Sequence, residues 1–211
     1  MKKQLEITKR GGLIGIIVFW ILITLLNYYY TNFFILIFIW FAMSMIFLFV
    51  TVYQIVKLIK ERNQPKNSRI LKVLVFAILL TLTFFRNIPN TLIEKADWNI
   101  LKGKRIEIVQ KIKRGELKAN GKNDTGICEL PFKFPIISTG GNEVWIIHGK
   151  ENNSLTVRFW INRNFFDSPQ TLFIYTNDQK TIERFERKII EEPKTNWKLD
   201  KNWYRIHGYG Y

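Results

Sequence analysis

One cysteine and two histidines are the only side chains here suited to soft-metal or imidazole chemistry, and Cys128, His148 and His207 are spread far apart. A thiolate–imidazole nucleophile needs the two groups within hydrogen-bond reach. Only neighbouring strands would bring Cys128 to His148. Nothing around Cys128 activates a thiol, and a buried cysteine otherwise behaves as a small apolar residue. A zinc site takes three or four ligands at defined spacing, yet neither HxxxH nor CxxC occurs. No metal or cofactor is therefore expected. A lone cysteine also leaves no disulfide to form within the chain.

Two further patterns fail on their surroundings. Gly140-Gly141 is followed by Asn142 and a β-type run, whereas a phosphate-binding loop continues into a Lys and a helix. That pair reads as a turn. Ser138 lacks the glycines of a nucleophile elbow. The chain is expected not to be an enzyme.

The densest charge lies between Lys102 and Arg114, where Lys102, Lys104, Arg105, Lys111, Lys113 and Arg114 face a single acid, Glu107. The plain reading is a solvated helix face. The sharper one is an anionic-surface site, for lipid headgroups or envelope polymers, worth about 1 kcal/mol per residue near a charged surface. Nucleic acid is not an expected partner.

The elements that must carry these residues are of two kinds. Positions 11–56 form a run of 46 residues with no Asp, Glu, Lys, Arg or His, interrupted only by Asn27-Tyr28-Tyr29-Tyr30-Thr31-Asn32. A membrane helix needs about 20 apolar residues, so the run predicts two spans, 13–30 and 33–56, joined by a tight turn. A third apolar run, 70–85, follows a basic connector; its 16 residues make it the shortest span. Tyr28, Tyr29, Tyr30, Phe33 and Phe34 suit the aromatic belt at a membrane interface. No ionisable residue sits at membrane depth, as ion and proton pathways require, so transport is not expected. The first run lacks a small-residue cleavage site and reads as an uncleaved anchor.

Charge orients the spans. The N-terminal tail and the connector hold ten basic residues against two acids, and the turn between the first two spans holds none. Short basic loops stay cytoplasmic. The N-terminus and connector are thus expected inside, and an odd number of spans sends the remainder outside.

From 87 onward composition turns polar. Pro89 limits direct continuation of the third span. Between Thr91 and Leu117, Leu92, Ile93, Ala96, Ile100 and Leu101 fit one helical face, and Ile106, Val109 and Ile112 continue it. Gly103 leaves open whether this is one helix or two, and Gly115 is a natural stop. Strand signals follow at Cys128–Ser138, an edge segment broken by Pro131 and Pro135, then at Val144–His148, Leu155–Asn162 and Thr171–Tyr175. Gly140-Gly141-Asn142, Glu151-Asn152-Asn153-Ser154 and Asp167-Ser168-Pro169 are expected turns. Thr181–Glu192 predicts a short amphipathic helix closed by Pro193, and Trp203–His207 a last strand.

The expected fold class is an α+β membrane protein: three transmembrane helices over 1–86, then an extracytoplasmic domain over 87–211. That domain combines one long amphipathic helix with an antiparallel sheet of about four to five strands. The functional expectation is a multi-pass protein of a bacterial cell membrane. Its outer domain is read as a non-catalytic binding module for a protein or envelope polymer, with the lipid bilayer as its constant partner. The alternatives are an immunity-type protein that intercepts a toxin and, below it, an envelope enzyme.

Overall fold

The computed structural model describes residues 2–30, 33–63, 66–121, 124–149, 154–162 and 169–208. Among them are five helices and six strands. The expected turns at 151–153 and 167–168 lie outside the described residues. The chain divides into two compact units, 1–95 and 96–211.

In the first unit, α1 is Lys2–Tyr30, α2 Phe33–Lys60 and α3 Asn67–Phe84. Each contains a stretch long and apolar enough to cross a membrane: Gly11–Tyr30, Ile37–Lys60 and Asn67–Phe84. The third helix begins earlier than its apolar run does. Its 18 residues make about 27 Å at 1.5 Å per residue, close to a hydrocarbon core of about 30 Å.

Leu13 and Trp20 of α1, Met43 and Phe47 of α2, and Phe76 and Leu79 of α3 form one buried cluster. The Phe47 and Phe76 rings lie 6.4 Å apart. Hydroxyls keep the interior satisfied. Trp20 Nε1 donates to Thr83 Oγ1 at 3.0 Å, and Thr83 donates to the Leu79 carbonyl. Thr24 and Thr51 donate to the carbonyls four residues back. Phe38 and Phe49 point outward, 74% and 79% exposed, as lipid-facing side chains do.

Helix α4 runs unbroken from Asn87 to Lys113, through Gly103. Pro89 occupies its first turn, where a missing N–H leaves no bond unmade. At the other end Gly115 adopts φ +73°. Its N–H donates to the Ile112 carbonyl, and that of Glu116 to the Lys111 carbonyl. This pair of bonds is a Schellman stop, and only glycine takes that backbone without steric cost.

The buried stripe of α4 in the second unit differs from the apolar reading. Asp97, Trp98, Arg105, Ile108, Val109 and Ile112 are inside, while Ala96 and Ile100 are exposed. Two charged residues belong to the inward face, and a count of apolar positions is blind to them.

The second unit's strands are β1 Gly126–Glu129, β2 Glu143–His148, β3 Leu155–Asn162, β4 Gln170–Thr176, β5 Trp197–Asp200 and β6 Trp203–Gly208, with α5 Gln179–Glu191 between β4 and β5. They form one antiparallel sheet in the order β1-β2-β3-β4-β6-β5. The sheet has six strands rather than four to five. The additional one, β5, is short and half polar, so it carries little alternation signal. The hairpin turn into β6 places Asn202 at φ +64°. The expected edge segment 128–138 is a strand only up to Glu129.

Helices cover both faces of the sheet. On one, Val144, Ile146, Val157, Phe159 and Phe173 are fully buried on the side where Trp98 of α4 meets Phe173 and Trp203, each at 5.2 Å. On the other, Phe185 of α5 joins Trp160, Leu172, Ile174, Tyr204 and Ile206, flanked by Ile182 and Ile189. The helical spacing of Ile182, Phe185 and Ile189 predicts this face. The Asp178 carboxylate caps α5, accepting from the Thr181 N–H at 2.8 Å and from the Thr181 hydroxyl at 2.5 Å.

The segment 130–142 is knitted by Asn142, itself 1% exposed. Its Oδ1 accepts from the Ile137 and Ser138 amides, and its Nδ2 donates to the Phe132 and Pro135 carbonyls.

Candidate functional site

Five of the six cations of the 102–114 segment lie on α4 and Arg114 just past its end, and each has a partner within the chain. Arg105 leaves the surface set altogether. Its side chain is 1% exposed and bonded to Asp97, equally buried, with Nη2 to Oδ2 at 2.5 Å. Nη1 donates to the Asp97 carbonyl and Nη2 also to the Ile137 carbonyl. The guanidinium stacks over Phe173 at 4.9 Å. This arginine locks α4 onto the sheet and onto the Asn142-knitted segment. It is packed where no external anion reaches it.

The other five are surface residues. Lys102 pairs with Asp200 at 2.5 Å. Lys104 and Lys111 share the Glu107 carboxylate at 2.8 and 2.9 Å. Those two bonds, Lys104 first, hold the Glu107 carboxyl at about 2. Lys113 donates to the Tyr175 hydroxyl at 2.7 Å and lies over its ring. Arg114 pairs with Glu116. Four carboxylates, not one, thus answer five of the six cations, and Tyr175 meets the sixth. Asp97, Glu116 and Asp200 lie outside the 102–114 window, so a local charge count misses them. Exposed pairs of this kind are screened by water and add little to stability. The segment is a self-compensated helix face.

The nucleophile candidates also separate. The Cys128 thiol is buried, and burial pushes it up from its ordinary value. Cys128 is in register with Val144, four residues from His148 on the same strand. At about 3.3 Å per residue that is roughly 13 Å. Ser138 Oγ accepts from the Trp160 amide at 2.9 Å, as a structural hydroxyl does. His207 Nδ1 lies 3.0 Å from Thr171 Oγ1. Among the described residues no three His, Cys, Asp or Glu side chains gather in a way that holds a metal ion.

Sequence reading passed over Arg158. It sits mid-strand in β3, opposite Trp145 of β2 and Ile174 of β4. Its Nε is buried and has no hydrogen-bond partner among the described residues. The visible signal is a lone cation in a strand that is buried on both sides. Burial and the nearby Arg184 pull its guanidinium down to about 10, so it stays charged at neutral pH.

Compared with family models, curated proteins and solved structures, the chain matches none, and its function has to be argued from its own residues.

Proposed function

We propose that the chain is a membrane-anchored, non-catalytic binding module of a bacterial envelope, with its N-terminus in the cytoplasm and its sheet-bearing unit outside the membrane. The observation that carries this reading is the placement of charge on three membrane-length helices. Cations crowd the α2–α3 connector: Lys57 and Lys60 end α2, and Arg69 and Lys72 open α3. Arg69 ties that connector down, donating to Glu61 at 3.0 Å and to Gln54 at 2.9 Å. The Lys2, Lys3, Lys9 and Arg10 tail is basic too, and the α1–α2 turn is uncharged. The positive-inside rule then places tail and connector in the cytoplasm.

The binding role is supported by how the second unit uses its chemical groups. The thiol is buried and its strand-mate imidazole is remote. The serine hydroxyl is engaged with backbone. The six basic residues between Lys102 and Arg114 each have a partner within the unit. What remains is a sheet backed by α4 and α5, which supports a recognition role.

Alkaline phosphatase fused after Tyr211 tests the topology. Activity in cells supports the outer placement; an inactive enzyme, with a bright cytoplasmic fluorescent protein at the same position, overturns it. Crosslinking in intact cells, followed by identification of what is joined to the second unit, tests the binding role. A specific protein or envelope polymer is the expected product.

A further inference from the structure

We infer that the outward face of α4 from Ile88 to Ile100 is a lipid-binding surface, seated in the headgroup boundary of the bilayer that α1, α2 and α3 are long and apolar enough to cross. The helix carries two apolar faces. Trp98, Ile108, Val109 and Ile112 are buried, together with Asp97 and Arg105. At about 3.6 residues per turn, Ile88, Leu92, Ala96 and Ile100 fall on the opposite side, one every fourth position. All four are exposed, Leu92 at 64% and Ile100 at 77%. Between Ile88 and Gly103 that arc holds one polar side chain, Asn99. A contiguous bare apolar row on a helix marks a contact with something other than water.

Lipid is the occupant because the row continues a surface that lipid already claims. On α3, Leu71, Leu74 and Ile78 face outward, and Phe84 and Phe85 at its end are exposed as well. Only Phe85 and Arg86 separate α3 from α4. The exposed apolar row therefore passes from the span into α4 across no polar interval longer than Arg86-Asn87. It also stops within the helix. Past Gly103 the same arc takes on Glu107 and Gln110, so the bare apolar side chains are confined to the part of α4 next to the span. Arg86 and Lys95, both exposed, border the row. Such side chains lay their stems along lipid and lift their charge to the headgroups. An apolar stripe edged by cations is the pattern of a helix that lies in the membrane interface.

This deepens the membrane-anchored part of the proposed function and rests on that part alone. It holds whichever side of the membrane the sheet-bearing unit occupies.

The test uses the full chain with Cys128→Ala, spin-labelled at Leu92→Cys, Ala96→Cys or Ile100→Cys and held one copy per phosphatidylcholine nanodisc. Collisions with oxygen, which concentrates in lipid, are compared with collisions with a water-soluble nickel chelate. Phe49→Cys, on the outward side of α2, is the lipid standard, and Gln110→Cys, at an exposed position of α4, is the water standard. At the three α4 positions the oxygen-to-nickel ratio is expected to shift from the Gln110 value to that of Phe49. Should Cys128→Ala fail to fold, the native thiol is kept and the signal of the labelled chain with no added cysteine is subtracted.

A ratio matching Gln110 overturns the inference. So does exclusion of both reagents, which means that protein covers the row. Exclusion found only in liposomes crowded with the chain names a second copy as the occupant and overturns it too. Phe49 in lipid with the α4 positions in water sinks this inference and leaves the anchor standing, whereas Phe49 in water sinks both.

Discussion

The two faces of the sheet handle a buried arginine in opposite ways. On the α4 side, Arg105 has Asp97, two backbone carbonyls and the Phe173 ring. On the α5 side, Arg158 has no comparable set of partners among the described residues and a second arginine nearby; the Nε of both buried guanidinium groups is unbonded among those residues. Both faces bury aromatic and branched side chains, so hydrophobic packing does not distinguish them. The difference teaches that burial alone does not make a charge structural. The cation given an acid and two backbone carbonyls ties α4 to the sheet and to segment 130–142.

Four substitutions break or sharpen this contrast, each read by chemical unfolding of the full chain in micelles, followed through the tryptophans of the second unit. The largest effect is expected for Asp97→Asn, which takes the carboxylate from Arg105 and leaves it two backbone carbonyls. Removing one member of a buried pair costs about 3–5 kcal/mol. The double variant Asp97→Leu with Arg105→Met should recover most of that loss, because the uncompensated charge leaves with its partner.

Asn142→Ala comes next. It deletes the amide that satisfies four backbone groups of segment 130–142, the segment whose Ile137 carbonyl accepts from Arg105. A loss of about 2–3 kcal/mol is expected from buried groups left unsatisfied. The effect should shrink in the Asp97→Leu, Arg105→Met background, where that contact no longer exists. An undiminished loss would show that the loop and the arginine act independently.

The two helices supply the smaller tests. Gly115→Ala forces a side chain into the left-handed backbone that stops α4, a cost of about 1–2 kcal/mol. Asp178→Ala removes the cap of α5, about 1 kcal/mol, and loosens the helix that carries Arg184. Asp178 also predicts a pH dependence. The Thr181 hydroxyl, and after it the Thr181 amide, hold its carboxyl below the ordinary value of 3.8. A lowered folded value means that the ionised carboxylate stabilises the fold above pH 3.8. This contribution disappears as pH falls through the folded value. Wild type should therefore lose stability over that acidic window more steeply than Asp178→Ala.

Much of this architecture was legible from residue pattern. Uncharged runs mark the three long helices, and alternation marks β3 to the residue, Leu155–Asn162. The Ile182, Phe185, Ile189 spacing marks α5; its Asp178 cap went unread. Gly115 marks the end of α4. What pattern misread has a common physical cause: a charge that is inside because of a distant partner looks like a charge that is outside. Asp97 and Arg105 rotated the perceived apolar face of α4 toward Ala96 and Ile100. The answering acids of its surface, Glu116 and Asp200, arrive by a tight turn and by a strand nearly a hundred residues away. Strand β5 escaped because four residues with Lys198 and Asp200 among them carry too little contrast. Arg158 escaped because strand alternation records which face a residue takes and says nothing of what waits there.

The sheet's outermost strands, β1 and β5, are four residues each, against six to eight for the inner ones. Proteins confined to a bilayer plane collide with their own copies far more often than freely diffusing ones. A long bare margin would invite two sheets to zip into one. Here Pro131 follows β1 almost at once and charged side chains flank β5, so a passing copy finds only a few main-chain groups to grip. Short margins of this kind should keep the sheets of two copies from joining edge to edge.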